Sequence, residues 1–240
     1  MRPPLAAVRL GRQPYGRVHR LQHALVEARQ RDEINDVALF LEHEPVITLG
    51  RRADASHIVV EESVLTRAGI EVVEIERGGD VTYHGPGQLV GYPIVDLSRL
   101  GLGPSDYMHA LEDAIIAAVG DYGIAAGRRH GQVGVWVEGN KICALGVRVS
   151  KRVTYHGFAL NVDPNMDHWR MIVPCGIRDG FVTSVAAEMG CVPAMDAVVD
   201  TVVTRLSERL GLTPTECRLS GLLPGGALEA LLAGMESSKD

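Results

Sequence analysis

The apolar positions of this chain change their period along its length. Leu5 to Leu10 is a run of strand length, whereas between Gly16 and Gln30 the residues Val18, Leu21, Leu25 and Ala28 recur at the spacing of one helical face. A strand followed by a helix is therefore predicted to open the fold. Asp36 to Glu42 contains the unbroken apolar run Val37-Ala38-Leu39-Phe40-Leu41, stopped by His43-Glu44-Pro45, and Val46 to Gly50 resumes as another strand. Glu61 to Ala68 predicts a short helix closed by Gly69 at its C′ position, and Ile70 to Ile75 a further strand. Gln88 to Leu97 reads as β structure in which Pro93, lacking an N–H, predicts an edge position or a break.

The second half is patterned more regularly. Pro104-Ser105-Asp106 starts a helix whose buried face is predicted to be Tyr107, Met108, Leu111, Ile115 and Val119, ended by Gly120 and Gly123. Strands follow over Gly131 to Val137, Ile142 to Ser150 and Val153 to Asn161, the first two separated by Glu138-Gly139-Asn140. Ser184 is placed to cap a short helix to Met189, and Met195 to Leu210 carries Ala197, Val198, Val202 and Leu206 on one predicted face. The tail after Thr215 reads as a small helix and a frayed end. With no internal repeat or low-complexity linker, the expectation is one α/β domain over residues 1–240. It has a mixed, mostly antiparallel sheet with packed helices, and residues from about Ser184 are a candidate small C-terminal subdomain.

Composition narrows the class. No apolar run reaches membrane-spanning length and no signal-like segment follows Met1-Arg2-Pro3-Pro4, so a cytoplasmic protein without membrane contact is expected. The net charge of -6 argues against nucleic-acid binding by bulk electrostatics. Cys143, Cys175, Cys191 and Cys217 form no Cys-x-x-Cys pair, so free thiols are expected rather than a disulfide framework or structural zinc. The only lysines are Lys141, Lys151 and Lys239, in a chain that otherwise uses arginine for positive charge. An amine can release its proton where a guanidinium cannot, which singles out Lys141 beside Ile142-Cys143-Ala144.

The densest chemistry lies between Glu76 and Pro93. Five glycines between Gly78 and Gly91, interspersed with Arg77, Thr82, Tyr83 and His84, describe a backbone that approaches something closely while polar groups converge on it. His84 suits a proton shuttle, a hydrogen-bonding clamp or a satisfied turn histidine. Cys175, between Pro174 and Gly176, is either a nucleophile or a structural thiol in a turn, whereas Cys143 sits among aliphatics as a packing residue would. Lys141 is either a hairpin-end surface lysine or an amine folded back over the sheet. No His-Glu-x-x-His pattern, phosphate-binding glycine loop, dinucleotide fingerprint or Gly-x-Ser-x-Gly elbow is present, so no metal or nucleotide cofactor is expected.

Taken together, Arg77-Gly78-Gly79-Asp80-Val81-Thr82-Tyr83-His84-Gly85-Pro86-Gly87-Gln88, Leu41 to Val46 with Gly50-Arg51-Arg52, Lys141 to Arg148, His156 to Asn161, and Pro174-Cys175-Gly176-Ile177 with Thr183-Ser184 resemble the motifs of the lipoyl(octanoyl) transferases, in the same order. The likeness covers about Leu5 to Gly190. It implies the catalytic fold shared with biotin- and lipoate-protein ligases. It also implies transfer of an octanoyl group from octanoyl-acyl carrier protein to a lysine of lipoyl domains, on 2-oxoacid dehydrogenase subunits and the glycine-cleavage H protein. By the same resemblance Cys175 carries the acyl group as a thioester, with Lys141 tuning it and moving protons. The substrate pocket is implied to be Arg77, Gly78, Gly79, Asp80, Val81, Thr82, Tyr83 and His84 with Ala144, Leu145, Gly146, Gly157, Phe158 and Ala159. A monomer without cofactor is expected. Because the carrier protein is acidic and this chain is net negative, a basic rim is also expected, drawn from Arg51, Arg52, Arg128, Arg129, Arg148 and Arg152.

Overall fold

The unbroken apolar run at residues 37–41 forms a strand covered on both faces. In the computed structural model, which describes residues 2–173 and 182–222, Val37, Leu39 and Leu41 enter one apolar cluster and Ala38 and Phe40 the other. Side chains of a strand alternate between its faces, so a run without polar interruptions is what a doubly covered strand requires.

In chain order the elements are β1 (Pro4–Gln13), α1 (Tyr15–Gln30), β2 (Asp36–His43), β3 (Val46–Leu49), α2 (Glu62–Arg67), β4 (Glu71–Glu74), β5 (Val81–His84), β6 (Gln88–Ile94), α3 (Leu97–Leu100), α4 (Pro104–Gly120), β7 (Gly127–Arg129), β8 (Gln132–Val137), β9 (Asn140–Ser150), β10 (Val153–Asn161), α5 (Met166–Trp169), α6 (Val185–Met189), α7 (Met195–Leu210) and β11 (Thr213–Glu216). Eight strands form one sheet in the order β11, β1, β2, β6, β10, β9, β8, β7. Within it β1 is parallel to β11 and β2, and every other pair is antiparallel, as expected of a mixed, mostly antiparallel sheet. The strands β4, β3 and β5 form a separate small sheet.

One face of the large sheet is covered by α1 through Val18, Leu21 and Leu25. The other carries α4 and α7, whose Leu111, Ile115, Val202 and Leu206 share a cluster with Leu89, Phe158 and Leu160. Two positions differ from the predicted helix faces. Met108 of α4 is only half-buried, and Ala197 of α7 is exposed. The buried stripe of α7 runs through Val198, Val199, Val202, Val203 and Leu206, so its centre lies one residue further round than the pattern indicated. After β11 a 3-10 turn at Leu219–Gly221 ends the described chain, and the predicted tail helix lies outside the described residues. No helix among the described residues is long and apolar enough to cross a membrane.

Pro93 is not at an edge. It lies in β6, opposite Ala38 of β2 and with β10 on the other side. The sheet tolerates the missing N–H because the β6–β10 register stops at Gly91 and Phe158, and His156 leaves the extended conformation with φ of 56°. Gly157 comes so close that a Cβ would lie 2.1 Å from the Gly91 carbonyl oxygen. This local opening in the middle of the sheet is where the cleft forms.

Candidate active site

Residues 75–80 turn on the side chain of Arg77. Its Nη2 donates to the Thr48 carbonyl at 2.8 Å and the Asp80 carbonyl at 2.6 Å, and its Nη1 donates to the Gly78 carbonyl at 3.1 Å. The buried guanidinium is thus satisfied by two carbonyls of its own loop and by Thr48 of β3, which pins that loop to the small sheet as a wall. A second loop lies against it: the Gly50 amide donates to Asp80 O and the Arg52 amide to Gly79 O. Only glycine fits at position 50, since a Cβ would lie 2.5 Å from the Gly79 oxygen.

Three of the stretches singled out in the sequence meet around one cleft. Arg77, Gly79, Thr82 and His84 line one side; Lys141, Ala144, Leu145 and Gly146 of β9 and Gly157, Phe158 and Ala159 of β10 line the other. Gly78 and Asp80 line a wider opening that shares Lys141, Leu145 and Gly146 with the cleft and adds Arg52 and Met108. Val81 and Tyr83 face away. Alternation along β5 sends Thr82 and His84 into the cleft, while Val81 and Tyr83 pack with Ile47, Leu65 and Trp169, and the Tyr83 hydroxyl lies 2.7 Å from His168 Nδ1. The floor is built of two cross-strand pairs of small residues, Gly146 with Gly157 and Ala144 with Ala159.

A buried hydrogen-bonded chain joins the stretches. Gln88 Nε2 donates to Asn161 Oδ1 at 2.9 Å and Asn161 Nδ2 to the Thr183 carbonyl at 3.0 Å, while the Thr183 amide donates to the Lys141 carbonyl at 3.0 Å. With its amide nitrogen donating, Gln88 accepts through Oε1 from His84 Nδ1–H at 2.7 Å. That assignment leaves His84 Nε2 as the acceptor. Burial, with smaller effects from the neighbouring His43 and Arg77, lowers the His84 pKa to about 3, so the ring is neutral. His43 is held likewise, its Nδ1 donating to the Gln13 carbonyl at 3.1 Å and its Nε2 accepting from the Tyr92 hydroxyl at 2.8 Å.

Lys141 is buried, 5 % exposed, rather than a surface lysine at a hairpin end. Its Nζ lies 4.7 Å from the centroid of the Trp136 ring, and its stem passes Gly134, where a Cβ would lie 3.1 Å from Lys141 Cε. Gly134 has φ of 134° beside a register shift between β8 and β9, the irregularity that lets the lysine fold back over the sheet. Cys143 is fully buried, and burial pushes its thiol well above the ordinary range, which suits packing and not nucleophilic attack. Cys175, together with Pro174, Gly176 and Ile177, lies outside the described residues. On the described chain before them the Val173 amide donates to the His57 carbonyl at 2.7 Å, and after them Val182 forms a β-bridge with Lys141.

Tyr15, Tyr92 and His156 also line the cleft. Tyr15 escaped the sequence reading because an aromatic opening a helix looks like core, and its hydroxyl is buried with no hydrogen-bond partner. Beside His156, the side chains of His19 and Glu76 bring ring nitrogens and carboxylate oxygens within 4.8 Å of one another, a set able to hold a metal ion. Its signal was the i, i+4 spacing of His19 and His23 on α1, which the His-Glu-x-x-His template shares, although Arg20 stands where that template has its glutamate. Among the rim arginines, Arg128 pairs with Glu112 and Asp113, Arg152 with Asp96 and Asp32, and Arg129 stacks on Trp136. Arg148 donates to the Glu76 carbonyl, whereas Arg51 and Arg52 are exposed.

Residues 14–207 match the family model of the lipoyl protein ligase A/B catalytic domain. The chain is 45% identical over 206 residues to an octanoyltransferase of Koribacter versatilis, covering 84% of this chain and 82% of that one. It is 45% identical over 213 residues to an octanoyltransferase of Chloroflexus aggregans, covering 88% and 96%. Among solved structures it superposes on a lipoate-protein ligase A bound with ATP at a TM-score of 0.75 and 17% identity, covering 100% of this chain and 96% of that one, a likeness of fold.

Proposed function

The chain belongs to the lipoyl protein ligase A/B catalytic-domain family, on its octanoyltransferase side, and we propose that it moves an octanoyl group from octanoyl-acyl carrier protein to a lysine of lipoyl domains through a thioester on Cys175. The observation that carries this reading is the convergence of Lys141, His84 and a floor of small residues on one cleft. An aliphatic chain needs an apolar trough. At ~0.8 kcal/mol per buried methylene, six methylenes contribute roughly 5 kcal/mol to holding it.

In the first half-reaction the Cys175 thiolate adds to the carrier thioester carbonyl, and collapse expels the carrier thiolate, which takes a proton from the Lys141 ammonium. In the second, the acceptor lysine amine attacks the acyl-enzyme, an amide bond forms, and Cys175 leaves as the thiolate while the proton passes to Lys141. Lys141 acts on both transfers because an amine alternates between charge states, which arginine does not. The exchange of one thioester for another is nearly balanced and needs no nucleotide. The acceptors on this reading are the lipoyl domains of 2-oxoacid dehydrogenase complexes and the glycine-cleavage H protein.

Mixing the protein with octanoyl-acyl carrier protein, without ATP, is expected to add one octanoyl mass to the intact chain, mapped to Cys175. Cys175→Ser is expected to lose both the adduct and turnover, and Lys141→Arg to slow turnover by on the order of a hundredfold or more. Activity that survives Cys175→Ser and depends on ATP would instead assign an adenylating ligase.

A further inference from the structure

We propose that His19, His156 and Glu76, whose ligand atoms all lie within 4.8 Å of one another, form a binding site for a divalent metal ion of the zinc type, with His23 against the same carboxylate, at the flank of the cleft and independent of the acyl-transfer reading. His19 and His23 lie one turn apart on α1 and therefore share a face. The His19 Nε2 is 3.1 Å from both Glu76 oxygens, the His23 Nε2 is 2.8 Å from Glu76 Oε1, and the two imidazole nitrogens are 3.3 Å apart. His156 Nε2 faces the same carboxylate at 3.9 Å.

These separations fit a metal ion. Ligands at 2.0–2.1 Å around a tetrahedral centre are about 3.3 Å from each other. The fit without an ion is worse, because two ring nitrogens in van der Waals contact compete for one carboxylate. His156 adds the independent observation. It is 2 % exposed, its Nε2 has no hydrogen-bond partner, and it is aimed at the cluster. Its backbone stands at φ of 56°, in the left-handed region that a histidine rarely takes. Gln22, between the two α1 histidines, holds that conformation by accepting from the His156 amide at 2.8 Å. A donor set of imidazoles and one carboxylate suits zinc and its first-row neighbours, not magnesium or calcium.

A bound ion would join α1 and β10 to Glu76, the residue before Arg77, and so stiffen the wall of the cleft. The test uses the full chain without a polyhistidine tag, stripped of metal by a chelator. Titration with Zn²⁺ is expected to fill a single site, and Co²⁺ to give a visible ligand-field band without thiolate charge transfer. The double variant His19→Ala/His23→Ala is expected to weaken binding by at least about tenfold, and its melting temperature in chelator to fall only modestly, because His23 is exposed and His19 partly so. Should that variant misfold, His19→Gln alone carries the same expectation with a smaller loss. No saturable Zn²⁺ binding, binding unchanged in the histidine variants, or a Co²⁺ spectrum with thiolate charge transfer would each overturn the site.

Discussion

The Thr183 amide donates to the Lys141 carbonyl over 3.0 Å, so the chain that follows Cys175 in sequence returns to the strand carrying the buried lysine. The contact is held from behind by Asn161, whose Nδ2 reaches the Thr183 carbonyl while its Oδ1 accepts from Gln88. One side chain thus ties β10, β6 and the returning segment together.

Asn161→Ala is accordingly expected to cut turnover more than stability. It leaves Gln88 Nε2 with only its longer bond to the Tyr83 carbonyl and takes the Asn161 donor from the buried Thr183 carbonyl, at about 1–3 kcal/mol for the latter, and frees the segment next to Lys141. Misplacement of that kind lowers rate by on the order of ten- to a hundredfold. Steady-state kinetics beside a urea melt checks it, and a melt shift with unchanged turnover would make Asn161 a packing residue only.

Arg51 and Arg52 are exposed and Arg52 lines the opening of the cleft, whereas Arg128 and Arg152 are paired with carboxylates. Arg51→Glu/Arg52→Glu is expected to raise KM for octanoyl-acyl carrier protein by about tenfold, and to leave KM for a small octanoyl thioester unchanged, since only the acidic carrier meets the rim. Equal changes with both donors would remove the rim from recognition.

The sequence made the sheet and long helices legible because their periods were clean, as in the two-sided run at Val37–Leu41 or the stripe Leu111, Ile115 and Val119 of α4. Strand β5 was hidden because half its residues, Thr82 and His84, serve the cleft and break the apolar signal. Pro93 misled for a related reason: a missing donor argues for an edge unless the ladder with the partner strand is interrupted there, and the left-handed backbone at His156 is a property of β10, sixty-odd residues on. The cleft glycines were legible as close approach. What each approaches, such as Gly157 against Gly91 or Gly50 against Gly79, is set by strands distant in sequence.

Stability is expected to fall in acid, and His43 carries one share of that fall beside the buried His84. Burial lowers its pKa to about 4, against the opposing hydrogen bond to Gln13. Between about pH 4 and 6.5 the unfolded chain therefore holds a proton here that the folded chain does not. The contribution is complete above pH 6.5 and is lost as pH falls toward 4, at about 1 kcal/mol per pH unit near pH 5. His43→Gln, which cannot titrate and retains a donor and an acceptor for Gln13 and Tyr92, is expected to flatten the slope of unfolding free energy over that range. Urea melts at pH 5 and 7 measure it, and an unchanged slope would show that His43 is protonated in the folded chain.

The last expectation concerns which acyl chains fit. Ala144 and Ala159 are opposed across β9 and β10, two residues along from the pair Gly146 and Gly157, so the cleft floor is a strip without side chains beyond a methyl. The glycines cannot be enlarged to test this, because a Cβ on Gly157 would strike the Gly91 carbonyl at 2.1 Å and move the sheet. Ala144 is only partly buried and opens onto the cleft, so Ala144→Leu adds bulk to the space without displacing backbone. Excluding three methylenes at ~0.8 kcal/mol each lowers kcat/KM for octanoyl by roughly fiftyfold, while a five-carbon acyl group, which does not reach the added bulk, keeps its rate. A series of small acyl thioesters from four to ten carbons reads the shift directly. If the leucine variant keeps the octanoyl preference, the chain does not run over these alanines and the trough must lie elsewhere in the cleft.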